Sequence, residues 1–122
     1  MGRINFESQY TVDNYTSFNV EVVSGDYAGI SSFCLSIDLL NDAITSLNEI
    51  YNNLNGTYQM DDYDSDAFVL FEFQNLGHLK ISGQVGGSHS RQYLVFQFMT
   101  DQSILKDVIS NFRKIAKQKT NI

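Results

Sequence analysis

A chain of 122 residues with 43% hydrophobic content, nine Phe and seven Tyr has material for one core; a domain of that size buries about two-thirds of its unfolded surface, which excludes intrinsic disorder. The single cysteine, Cys34, excludes an intrachain disulfide, and neither residues 1–7 nor any later stretch approaches the apolar length of a signal peptide or of a membrane span of about 18 residues, so a cytoplasmic protein with no membrane partner is expected. The formal net charge of −6 disfavours a nucleic-acid partner, because phosphates would repel most of the surface.

In chain order, Ile4, Phe6, Tyr10 and Val12 alternate with polar residues and predict a first strand with those four facing inward. Phe18, Val20 and Val22 predict a second strand, and residues 28–35 a third whose inward face is ambiguous. From Ile37 to Leu54 the residues Leu40, Ala43, Ile44, Leu47, Ile50, Tyr51 and Leu54 recur at three and four, the stripe of an amphipathic helix, with Asn55-Gly56 as its closing signal. A short strand near Gly56–Met60 leads into the run Asp61-Asp62-Tyr63-Asp64-Ser65-Asp66. A hairpin follows, with Ala67, Val69, Phe71 and Phe73 inward, a turn at Gln74-Asn75-Leu76-Gly77, then Leu79, Ile81 and Val85 inward. After a Gly/Ser loop at residues 86–90, Leu94, Phe96 and Phe98 line a last strand. A final helix, capped by Thr100 or Asp101, buries Ile104, Leu105, Val108, Ile109, Phe112 and Ile115. Its end carries Arg113, Lys114 and Lys117, which complement the helix dipole. The expected architecture for the single domain over residues 1–122 is α+β, an antiparallel sheet of six to seven strands with two helices on one face, in the order βββ-α-ββββ-α.

The charge is segregated. From residue 4 to residue 79 there are twelve acids and no Lys or Arg, whereas from Lys80 onward seven bases face only Asp101 and Asp107. The acidic run is therefore the first candidate for a partner-binding surface: Asp61, Asp62, Asp64 and Asp66 surround Tyr63, a mixture suited to a basic protein. Glu7, Glu21 and Glu72, placed on the outward face of their strands, are the second. Asp62-x-Asp64-x-Asp66 opens like a calcium loop, but Ala67 stands where the turn needs Gly and Phe73 where a bidentate Glu is needed, so no metal site is expected. His78 and His89 belong to no metal motif and read as surface residues; a small enzyme using either with a carboxylate is the alternative class of function, and a self-associating adaptor a third. Ser88-His89-Ser90 lacks an orienting third group, Gly83, Gly86 and Gly87 form no phosphate loop, and Cys34 reads as a small hydrophobe. No catalytic residue and no cofactor is expected.

Three segments resemble the WapI type of bacterial immunity protein: Leu39-Leu40-x-x-Ala43-Ile44-x-x-Leu47, the hairpin from Phe68 through Gly77-His78 to Ile81, and the strand-into-helix run from Leu94 through Asp101-Gln102-Ser103 to Leu105. The resemblance covers residues 33 to 116. It implies a protein that protects its cell from a polymorphic toxin, and such toxins commonly act on nucleic acids through basic clefts. An acidic inhibitor suits that task, since opposite charge raises association rates toward about 10⁸–10⁹ M⁻¹s⁻¹ at low salt. The resemblance carries neither a catalytic residue nor the identity of a toxin, and the oligomeric state is open.

Overall fold

Two hairpins with two-residue turns build the first sheet. Strand β1 (Gly2–Val12) pairs antiparallel with β2 (Tyr15–Ser24), and β2 with β3 (Tyr27–Ser36), in the computed structural model, which describes residues 2–118. Asp13 and Gly25 take the left-handed conformation that such tight turns demand, at φ 55° and 61°. Helix α1 (Ile37–Asn53) follows. Its first turn is capped by Ser36, whose hydroxyl accepts the Leu39 N–H at 3.2 Å, and Asp38 lies at the positive end of its dipole. Strands β4 (Thr57–Asp61), β5 (Phe68–Phe73), β6 (His78–Val85) and β7 (Leu94–Asp101) make a second antiparallel sheet in that order, and α2 (Ser103–Ala116) closes the domain.

The α+β class, the seven strands and the element order are those expected. The strands divide into two sheets of three and four rather than running on as one, because β3 and β4 are not paired and α1 lies between them in the chain. The inner faces of both sheets and the apolar stripes of both helices meet in a single core. Phe18, Phe33, Phe71 and Phe112 are its largest fully buried side chains, and Phe6 sits edge-on to the Phe112 ring at 4.7 Å. Leu40, Ala43, Leu47 and Ile50 of α1, and Leu105, Val108, Ile109, Phe112 and Ile115 of α2, are the buried helix positions.

Three local expectations are corrected. In β1 the pairing slips between Ser8 and Tyr10, so Gln9 is an extra residue and the side-chain alternation inverts: Thr11 is buried, while Tyr10 and Val12 turn outward at 52% and 44% exposure. At the end of α1 it is Leu54, not Gly56, that first takes the left-handed conformation, at φ 52°, which lifts it out of the apolar stripe into solvent. Thr100 and Asp101 belong to β7 and α2 begins at Ser103, yet the Asp101 carboxylate accepts the Ser103 N–H at 2.9 Å and so does the capping expected of it. In β6, Gly83 at φ 153° is required outright, since a Cβ there would collide with the Phe68 carbonyl oxygen of the neighbouring strand.

The basic end of α2 lies beside α1, where Lys106, Arg113, Lys114 and Lys117 line a groove with Asn48 and Tyr51. Lys119 lies outside the described residues.

Candidate functional interface

The acidic segment between β4 and β5 divides its carboxylates between two tasks. Asp62 is buried at 9% exposure: its Oδ1 accepts the Cys34 N–H at 2.8 Å and its Oδ2 accepts the Ser65 hydroxyl at 2.6 Å. The Tyr63 N–H donates to the Cys34 carbonyl at 2.9 Å, so the loop is latched onto the end of β3 through both backbone groups of Cys34. Asp66 reaches the other way. It accepts the Ser88 N–H at 2.8 Å, the Ser88 hydroxyl and the Gln84 amide at 3.1 Å, joining this loop to the one between β6 and β7. Those bonds, the Ser88 hydroxyl first, hold the Asp66 carboxyl below the usual Asp value. Asp61 accepts the Gln59 amide at 2.8 Å and is exposed on the second sheet. Tyr63, at 67% exposure, and Asp64 project to solvent. With Asp62 and Asp66 each turned onto backbone N–H and hydroxyl donors, the three alternate carboxylates do not converge on a point where a cation could sit.

Where the loop meets β3 it joins the outer face of the first sheet. Because odd residues of β2 and even residues of β3 face outward, Glu21 stands across from both Asn5 and Ile30, and Glu7 across from Asn19, which makes Glu7 and Glu21 diagonal neighbours. The slip at Gln9 brings Tyr10 onto the same face. Gln9 accepts the Ser17 hydroxyl at 2.7 Å, tying the extra residue down. The Tyr15 and Tyr63 rings lie 5.1 Å apart at 45°, and the Tyr63 hydroxyl, by hydrogen bonding first and by like charge second, raises the Tyr15 phenol above its ordinary value, so it stays neutral at physiological pH. A shallow groove of about 220 Å³ runs between the two parts, lined by Gln9, Tyr10, Ser32, Cys34, Asp62 and Asp64. Burial first, and then Asp64 and Asp62, push the Cys34 thiol up, so this half-buried cysteine stays a thiol rather than a reactive thiolate.

Of the residues expected to bind a partner, Glu7, Glu21, Tyr63 and Asp64 therefore share one surface, with Asp62 beneath it. Glu72 lies on the outer face of the second sheet, 3.9 Å from the Lys80 ammonium. Tyr10 and Tyr15 are additions to the set. Tyr10 was hidden by a bulge that no glycine announces, and Tyr15 by its place at the very start of β2, beside the hairpin turn. His78 and His89 are both exposed, and neither hydrogen-bonds a carboxylate among the described residues; His78 stands across the strand pair from Asp101, whose carboxylate is engaged by Ser103, first by its hydroxyl and then by its N–H, and held low by those bonds.

A model of the WapI-like immunity protein family matches residues 3–119, nearly the whole chain. The chain belongs to the WapI-like family of immunity proteins. The match takes in all three strands of the first sheet, beyond the residues 33 to 116 that carry the resemblance. The search of curated proteins returned no match. Membership of the family gives the chain an immunity role with a protein toxin as its general class of partner, and among the described residues no helix is long and apolar enough to cross a membrane.

Proposed function

We propose that this immunity protein acts in the cytoplasm by binding a basic toxin domain through the outer face of its first sheet and the adjoining β4–β5 loop. The observation that carries the reading is the meeting, on one surface, of Glu7, Glu21 and Asp64 with the exposed rings of Tyr10, Tyr15 and Tyr63. Tyrosines bury large area at low entropic cost and dominate the energetics of many interfaces, while the surrounding carboxylates steer a cationic partner and set its orientation. Among the described residues the one ion pair is Lys80–Glu72, so Glu7, Glu21 and Asp64 carry no internal counter-ion to be displaced. Asp61 can extend the same field from the second sheet, and Asp62 and Asp66 act by fixing the loop that presents Tyr63 and Asp64.

The test is survival of cells co-expressing this chain with a cognate toxin domain, sought as the C-terminal domain of any large secreted protein whose gene adjoins its own. The native chain rescues growth, and a Glu7→Gln, Glu21→Gln, Asp64→Asn, Tyr63→Ala variant does so only at much higher expression. Undiminished rescue by that variant, with native expression and melting temperature, would place the contact elsewhere.

A further inference from the structure

Strand β3 is an open edge, and the direction of its backbone groups can be worked out. The β2–β3 register runs unbroken from Tyr15 opposite Ser36 to Ser24 opposite Tyr27. Just beyond it the Ile37 N–H donates to the Asn14 carbonyl at 2.7 Å, so odd-numbered residues turn their N–H and C=O toward β2. Even-numbered residues turn theirs away, and Cys34 proves it, since its N–H and C=O both engage the β4–β5 loop. Ala28, Ile30 and Ser32 therefore aim three N–H and three C=O groups outward at the spacing of a β ladder. β3 pairs only with β2 among the described residues, and of those six groups one is engaged, the Ser32 carbonyl accepting the neighbouring Ser31 hydroxyl at 3.1 Å.

This edge borders a groove of about 590 Å³, walled by Ala28–Ser31 on one side and by the β6–β7 connection, with Gly87 and Tyr93, on the other. A residue in a sheet occupies about 3.3 Å along the strand, 4.8 Å across it and 10 Å through the layer, roughly 160 Å³, so the groove accommodates a segment of three to four extended residues. None of the residues lining it is charged. Charges lie around it instead: Asp26 in the turn before β3, Asp62 and Asp64 where Cys34 is latched, Glu21 across from Ile30, and, as the one base, Arg91 between the lining residues Ser90 and Gln92 of the far wall. Ile30, at 60% exposure, and Tyr93, at 51%, offer apolar cover between them. Natural sheets blunt free edges with charge, proline or short strands, yet residues 27–36 of this ten-residue strand contain no charged residue and no proline.

We infer that β3 receives an extended segment of the toxin domain as a fourth strand of the first sheet, a segment with an uncharged middle of three to four residues flanked by Lys or Arg. The inference rests on the immunity reading above and says how the partner is held: main-chain bonds to Ala28, Ile30 and Ser32 supply a ladder, Ile30 and Tyr93 cover the segment, and the end acids set which sequence fits and in which direction. A second copy of this chain is the poorer occupant, since pairing β3 with β3 would set like-charged ends against each other.

Amide hydrogen exchange read residue by residue, on the chain alone and with the toxin domain identified by the survival test, tests this. In the free chain the amides of Gly29, Ser31 and Phe33 are protected and those of Ala28, Ile30 and Ser32 exchange quickly. In the complex the second set slows at least tenfold. Ile30→Pro removes an outward N–H that β2 does not use, and is expected to weaken binding at least tenfold with the first set still protected in the free chain; Ile30→Lys, which keeps every backbone group, provides the same readout should the proline variant unfold. A complex that forms and protects cells while Ala28, Ile30 and Ser32 still exchange quickly overturns edge pairing and leaves the immunity reading standing. Protection of those amides that grows with the concentration of the chain alone overturns it in favour of self-pairing, and absence of any complex overturns both readings.

Discussion

The outer faces of the two sheets carry the same residue types and spend them differently. On the second sheet the carboxylates are already engaged: Glu72 faces Lys80 across the strand pair, Asp61 accepts the Gln59 amide and Asp101 is held by Ser103. On the first sheet Glu7 and Glu21 are diagonal neighbours with Asn5, Asn19 and Ser32 around them and form no ion pair among the described residues, Arg3 near the start of β1 being the one base on that face; three tyrosines lie close by, and the acidic loop folds against one end. Carboxylates left without a partner, beside rigid aromatic area, are what a basic partner can use; engaged ones are not. The difference teaches that net charge is a poor guide to this molecule, and that the placement of its few bases matters more. Lys80 cancels Glu72, while the cations of α2 gather beside α1.

The acidic loop allows the sharpest test of how that contrast is built. Asp62→Ala removes the latch between the loop and β3, leaves the Cys34 N–H without its acceptor, and is expected to cost about 1–3 kcal/mol of unfolding free energy as well as slowing toxin association. Denaturant unfolding measures the first effect; a loss below a few tenths would mean that the loop holds its place without Asp62. Asp66→Asn gives a smaller effect with a pH signature. Because the folded-state carboxyl sits below its ordinary value, its contribution is complete above the unfolded-state value of about 3.9 and fades as pH falls through the lower folded value. Native and variant melting temperatures should thus differ near neutrality and converge in strong acid, and a gap independent of pH would assign the loss to something other than the charge. Glu72→Gln is the smallest: the partly exposed pair with Lys80 is worth less than about 1 kcal/mol, and toxin binding should not change.

Much of the fold was legible because its signals are periodic. The stripe of Leu40, Ala43, Leu47 and Ile50 and the alternation of Phe18, Val20 and Val22 each bury the residues that the spacing selects. Two sheets rather than one could not be read, since strand spacing gives order but not which edges meet. The surface was half legible. Glu7, Glu21, Tyr63 and Asp64 follow from strand parity and the charge run, but Tyr10 depends on an extra residue at Gln9, and parity past that point points the wrong way. Nor does the sequence distinguish Asp62 from Asp64: both are loop aspartates, and only the approach of the Cys34 N–H makes one a latch and leaves the other free. Position in a chain says which residue types are present; long-range backbone contacts decide which remain available.

The most direct test is stopped-flow association of the chain with the toxin domain identified by the survival test over a range of salt concentrations, comparing two charge-reversed variants. Reversal on the first sheet and its loop, Glu7→Lys with Glu21→Lys and Asp64→Lys, is expected to slow association by about 10- to 1,000-fold at low salt and to flatten or invert the salt dependence. Glu72→Lys should leave both nearly native. Equal slowing by the two variants, or slowing by Glu72→Lys alone, would contradict the assignment of the toxin-binding surface to the first sheet.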